Sequence, residues 1–194
     1  MLVDIKSDVQ DLVKFYPVST FTDVYGTVHD IANKYFIMFQ DKKPKEDKEF
    51  FTEERKWRNW ADSHLVHLIS PNVYRNYAEA RETFEWFSEC GQWSQYFPEW
   101  ERNLMVHAGT AAMYLISKRL KKKHQLDDDV RSHLYEACDK WMGALAKKKT
   151  KFMGGNKEPN LADLAVFGVL SSMEGCLAFK DCLENTRIGD WFYE

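Results

Sequence analysis

The chain has 194 residues, long enough for one domain with a full core or for one domain with an appendage. Its 44% hydrophobic and 29% charged content is that of a globular protein, and 27 basic against 30 acidic side chains leave a formal charge of -3. No broad positive field is available for a phosphate backbone, so no nucleic-acid partner is expected. The longest apolar stretch, residues 162–170 with Asp163 inside it, is too short to cross a bilayer, and Met1 opens no charged-then-apolar leader. No membrane contact and a cytoplasmic location are the expectation for these residues.

Residues 1–50 differ from the rest. Ile5, Val9, Leu12, Val13, Phe15 and Tyr16 outline a short amphipathic helix stopped by Pro17. Two β-leaning stretches follow, 24–27 and 31–39, with room for a small hairpin. Residues 41–49 (DKKPKEDKE) carry no apolar side chain and read as an exposed connection.

From Thr52 onward the pattern is helix after helix. Thr52 can cap a first helix, with Glu53 and Glu54 at its positive end. Trp57, Ala61, Leu65 and Leu68 recur on one face until Ser70 and Pro71 interrupt. Asn76 with Glu79 caps a second helix that ends near Gly91. Pro98 opens a third, whose apolar face runs through Leu104, Ala108, Ala111, Leu115 and Ile116. Its small residues Ala108, Gly109, Ala111 and Ala112 would let a neighbouring helix come close. The acidic run 127–129 caps a fourth helix bearing Val130, Leu134, Ala137, Trp141 and Leu145, which finishes in the lysines 147–149. After Gly154 and Gly155, Asn160 and Asp163 form a capping box before a helix that is apolar on all sides, the pattern of a buried central helix. The fold class is therefore all-α, a helical bundle behind a short mixed extension.

Few residues suggest chemistry. His64 and His67 lie at i, i+3 beside the core edge of the first helix and could carry protons, meet an acidic ligand, or simply be hydrogen-bonded groove residues. No metal-binding spacing accompanies them. Arg119 shares a face with Leu104, Ala108 and Leu115, with Lys123 at i+4. It could snorkel at a helix end, or point into a crevice and hold a carboxylate by paired hydrogen bonds. The aromatic group Trp86, Phe87, Trp93, Tyr96, Phe97 and Trp100 reads as packing at a helix junction. Cys90, Cys138, Cys176 and Cys182 match no zinc or C-x-x-C pattern and read as buried free thiols.

The Asn160-Leu-Ala-Asp163 box resembles that of glutathione-transferase C-terminal domains. Longer stretches narrow the likeness: Arg55-Lys-Trp-Arg-Asn-Trp-Ala-Asp62, Leu65-Val-His-Leu-Ile-Ser-Pro-Asn-Val-Tyr-Arg75, Ala112-Met-Tyr-Leu-Ile-Ser-Lys-Arg-Leu120, and Phe152-Met-Gly-Gly155 with Pro159-Asn-Leu-Ala-Asp-Leu-Ala165. From about Phe15 to the end the chain is similar to the type 2 membrane-associated prostaglandin E synthase family. That resemblance implies residues 51–194 as the glutathione-transferase C-terminal-like helical half, with residues 1–50 as a connecting segment and the remnant of a thioredoxin-like half. A C-x-x-C thiol and a membrane anchor belong to the family but not to these residues, so the chain alone is expected to be inactive.

The same resemblance implies a homodimer and isomerisation of a small lipid endoperoxide, prostaglandin H2 to prostaglandin E2. Glutathione, and in some preparations haem, occupies the crevice between the halves. His67 and Ser70 would line that crevice and Arg119 would meet acidic groups of the bound molecule. Lys123 stands where relatives carry arginine, and His64 where relatives can have tryptophan. A non-catalytic interaction module of the same fold is the competing reading, and a conventional glutathione-conjugating enzyme a weaker third.

Overall fold

A computed structural model describes residues 19–22, 28–31 and 48–194, with side chains from Thr52 onward. The chain divides into two compact units, Met1–Phe51 and Thr52–Glu194. In the first, β1 (Ser19–Thr22) and β2 (Val28–Ile31) pair antiparallel, with Ser19 opposite Ile31 and Thr22 opposite Val28. A hairpin is present on these eight residues; of the two β-leaning stretches, Ile31 falls in β2, while 24–27 and 32–39 lie outside the described residues. Propensity marks strand-forming composition and does not fix register. The amphipathic stretch at 5–16 lies outside the described residues.

The second unit is all helical apart from an isolated bridge between Phe152 and Gly155. Helix α1 (Lys48–Trp60) runs through a π-helical turn, Ala61–Leu65, into α2 (Val66–Val73). Then come α3 (Tyr77–Cys90), the single turn α4 (Trp93–Tyr96), the long α5 (Glu99–Lys123) and α6 (Val130–Lys148). Helices α7 (Leu161–Ser171), α8 (Leu177–Asn185) and α9 (Ile188–Phe192) complete it.

Two boundaries depart from the sequence pattern. Thr52 is not a cap: α1 starts at Lys48, because the polar run ahead of it ends in helix-favouring lysine and glutamate. Pro71 does not end the helix either. It sits inside α2, buried, so packing of its ring offsets the donor it lacks. Trp57, Ala61, Leu65 and Leu68 do face the core, as their spacing implies. They meet the fourth predicted face, now on α6, where Val130, Leu134, Ala137, Trp141 and Leu145 are all buried. Trp141 is fully enclosed, edge-on to Trp57 and Trp191 with ring centroids 5.3 Å away in each case. Three of the four cysteines are buried; Cys90 is exposed, since it closes α3 at its outer end.

The long helix α5 inverts expectation. Its apolar stripe, Leu104, Ala108, Ala111 and Leu115, is exposed, and so is Ile116. The buried stripe is Val106, Thr110 and Ser117, with Gly109 and Met113 beside it. Both stripes have helical period, two residues or about 200° apart. The inward face is chosen by size. A Cβ on Gly109 would lie 2.3 Å from the Phe84 ring of α3, so this side admits close approach and the bulky side does not. Of the small residues singled out above, Gly109 makes that approach, while Ala108, Ala111 and Ala112 are exposed. The expected aromatic junction is correspondingly open: Trp86, Phe87 and Trp93 are partly buried, but Tyr96, Phe97 and Trp100 face solvent.

Helix α7 is likewise not enclosed. It buries Ala162, Asp163, Val166 and Leu170 and leaves Leu164 and Phe167 exposed on the opposite side. Its capping box is complete. Asn160 accepts from the Ala162 and Asp163 amides, and Asp163 accepts from the Asn160 amide at 2.9 Å. The buried Asp163 carboxylate also takes the amides of Met153 (2.8 Å) and Gly154 (3.0 Å), tying the preceding turn to the helix. An ordinary cap contributes about 1 kcal/mol. With three amides to orphan, Asp163→Ala is expected to cost about 2–4 kcal/mol, read as a lowered denaturant midpoint. Asp163→Asn should recover part of that loss. An unchanged midpoint in the alanine variant would contradict the assignment.

Candidate functional site: the edge of α2 and the end of α5

His64 lies in the π-helical turn, where the Val66 amide bonds to the Ala61 carbonyl five residues back. The wider turn keeps Ala61 and Leu65 buried while His64 and His67 remain outside. Ser70, one turn further along α2, is partly buried. The C-terminal end of α5 comes to this edge. His124, its closing residue, stacks on His67 with ring centroids 4.2 Å apart and planes 17° from parallel.

The neighbourhood is electropositive. Burial pushes the His64 imidazole below its ordinary value, and Lys140, His133 and His67 push the same way. Burial also lowers His124, followed by the charges of His67 and Lys123. Two acids of the 124–129 connection are already engaged: Asp127 lies 3.1 Å from His133, and Asp128 takes Lys121 at 2.5 Å. Among the described residues no group of three or more His, Cys, Asp or Glu side chains is placed to hold a metal ion.

The structure therefore brings His64, His67, Ser70, His124 and Lys123 to one end of the bundle. Arg119 lies one turn before Lys123 on α5. It shares a face with Leu104, Ala108 and Leu115, but that face is the outward one, so Arg119 and Lys123 are both exposed. Among the described residues the Arg119 guanidinium makes no ion pair. An anion lying along α5 could take paired hydrogen bonds from it with no internal partner to displace. A separate cleft of about 500 Å³ lies by the 152–155 turn, lined among others by Phe152, Leu164, Phe167 and Phe192; none of the five sequence-selected residues borders it.

Two residues that the sequence pattern did not single out organise this end. His124 is one. The other is Arg131, in the first turn of α6, only 4% exposed. Its Nε donates to Asp181 (2.8 Å), one terminal nitrogen to the Asn72 carbonyl (3.0 Å) and side chain (3.1 Å), and the other to Glu79 (3.0 Å). Asn72 in turn donates to the Leu68 and Val130 carbonyls, at 2.9 and 3.0 Å. This network fixes the half of α2 that carries Ser70 against α3, α6 and α8. The available sequence signal was a basic residue in a first helical turn, where acids are favoured, beside a buried stripe.

No family model matches the chain. Curated relatives do. The chain is 47% identical to prostaglandin E synthase 2 of Mus musculus and 44% identical to prostaglandin E synthase 2 of Danio rerio, in each case over 188 residues and 95% of its own length. It spans about half of those proteins, 47% and 48% respectively. The resemblance read from the four motif stretches is borne out across nearly the whole chain.

The lowered histidines have a consequence for stability. Folding holds His64 and His124 less basic than the unfolded chain does, so the unfolded state binds more protons as pH falls past the ordinary histidine value. Their contribution is present above that value and is lost as pH drops from about 7 toward about 5. The denaturant midpoint is expected to fall over this window, and a His64→Gln, His124→Gln double variant to show a shallower fall. Equal slopes in both proteins would contradict the electrostatic reading.

Proposed function

We propose that this chain is the helical half of a glutathione-dependent isomerase that converts prostaglandin H2 to prostaglandin E2, and that it forms one wall of the crevice in which the reaction runs. The observation that carries the reading is the 44–47% identity to prostaglandin E synthase 2 proteins over 95% of the chain, of which it spans about half. The outward face of α5 supports it. Leu104, Leu115 and Ile116 present apolar surface, and Arg119 and Lys123 add cations at the end of the same face. An apolar wall with a few convergent charges suits a lipid acid or a peptide thiol bearing carboxylates.

On this reading Arg119 would hold a carboxylate by its paired donors, with Lys123 as a second, single-point cation. His67 and Ser70 would offer an imidazole and a hydroxyl from α2. The donor set fits glutathione, an anionic peptide, and it also fits the acidic side groups of haem. Glutathione would supply the thiol chemistry, which neither Cys138 nor Cys176 is suited to replace: the Cys138 thiol is pushed upward by its hydrogen bond to Cys182 and by burial, and Cys176 by burial. We assign the rest of the exposed α5 face to the contact with the other half and with a second copy in a homodimer. Since that face is unpartnered among the described residues, a non-catalytic docking module is the competing reading.

The test uses the two-domain parent. Arg119→Ala is expected to raise KM or weaken glutathione binding about tenfold or more, equivalent to roughly 1.5–3 kcal/mol for a charge-assisted pair, with the unfolding midpoint unchanged. Arg119→Lys should recover only part of the loss. The chain alone should form no prostaglandin E2 above the spontaneous rate. Turnover by the chain alone, or an Arg119→Ala parent with normal binding, would contradict the proposal.

A further inference from the structure

Among the contacts at this end of the bundle, the His67–His124 stack has no role in packing the core. His67 is exposed and His124 only partly covered, yet their rings lie face to face at 4.2 Å, one from α2 and one from the end of α5. We infer that His124 is a positioning residue: its ring, fixed at the end of α5, holds the plane of the His67 imidazole at the crevice edge. This inference rests on the crevice reading above and names how one of its groups is oriented and regulated.

The placement of His124 is well determined. As the closing residue of α5 its amide bonds to the Leu120 carbonyl, so the ring is carried by a helix end rather than by a loose loop. A helix C-terminus ordinarily favours a protonated histidine. Here the surroundings oppose it. His67 faces it from α2, and Lys123 flanks it on α5. Further round, His64 stands on the π-helical turn, with His133 and Lys140 on α6. The acids of the connection between α5 and α6 are committed elsewhere, Asp127 to His133 and Asp128 to Lys121. The charges acting on His124 are those of His67 and Lys123, with no carboxylate among them.

Stacked imidazoles at this distance attract as flat, polarisable rings and repel when both are cations. The stack therefore holds while at least one ring is neutral. Its first proton places a cation on the face of the other ring, and the second sets two cations about 4 Å apart beside Lys123. Acid should thus part the rings, freeing His67 to turn and presenting two imidazoliums to an anion. The stack is a pH-sensitive brace for a ligand-facing group.

The experiment follows the histidine Cε1–H resonances of the chain by NMR through a pH titration, in the wild type, His124→Ala, His124→Phe and His67→Phe. The stack predicts an upfield ring-current shift on His67 that His124→Ala abolishes and His124→Phe retains. In the wild type that shift should vanish on acidification, and in His67→Phe the His124 midpoint should rise toward the ordinary histidine value. A His67 resonance unmoved by His124→Ala, or an upfield shift that persists through the acid range, would overturn the inference. In the parent enzyme, His124→Ala should displace the pH profile of glutathione binding and His124→Phe should restore binding while removing its acid limb. Glutathione that leaves both histidine resonances of the parent unmoved would sink the crevice reading and the brace's role there; loss of the ring-current effect alone sinks only the brace.

Discussion

The arrangement of the helical unit turns on Arg131. A guanidinium only 4% exposed must have every donor met, and here the partners come from α2, α3 and α8 while the arginine itself belongs to α6. Neutralising one buried cation with two carboxylates and a carbonyl fixes four helices at one point. Removing one member of such a buried set typically costs about 3–5 kcal/mol, because the remaining charges are left without partners. Glu79 is further committed to Arg75 and to the Asn76 side chain, so the cluster extends to the cap of α3. The bundle's apolar core, centred on Trp141, could be packed in several ways; this network selects one.

Its location matters for the site. Asn72 lies two residues beyond Ser70 and five beyond His67, and it receives the Arg131 bonds while donating to the carbonyls of Leu68 and Val130. The candidate residues of α2 are therefore presented by a helix pinned from beneath, which is the support a binding edge requires. The π-helical turn at the start of α2 adds to this by separating the buried Leu65 from the exposed His64 and His67.

The α1–α2 and α6 core faces, the Asn76 cap and the Asn160–Asp163 box were all legible in the sequence, because each rests on spacing within one helix; the short helices α4, α8 and α9 were not. What spacing could not supply was which of two equivalent stripes turns inward. On α5 the apolar stripe through Leu104 and Leu115 faces out and the small, polar stripe through Thr110 and Ser117 faces in. Hydrophobicity predicts burial only against a partner that is present, and steric fit at Gly109 decided the matter here. Arg119 was carried outward with its stripe. The exposed Leu164 and Phe167 of α7 reflect the same limit. Arg131 and His124 stand out for a different reason: their partners lie 50 or more residues away, and only folding brings them together.

The Arg131 network, more than the surrounding apolar contacts, holds α2 in place. Amide hydrogen exchange on Arg131→Leu, a variant that keeps side-chain bulk and removes the donors, tests it directly. Exchange within residues 66–73 is predicted to accelerate about a hundredfold or more, equivalent to about 3 kcal/mol, while α7 is much less affected. Unchanged protection in α2, or the same acceleration throughout the helical unit, would contradict it.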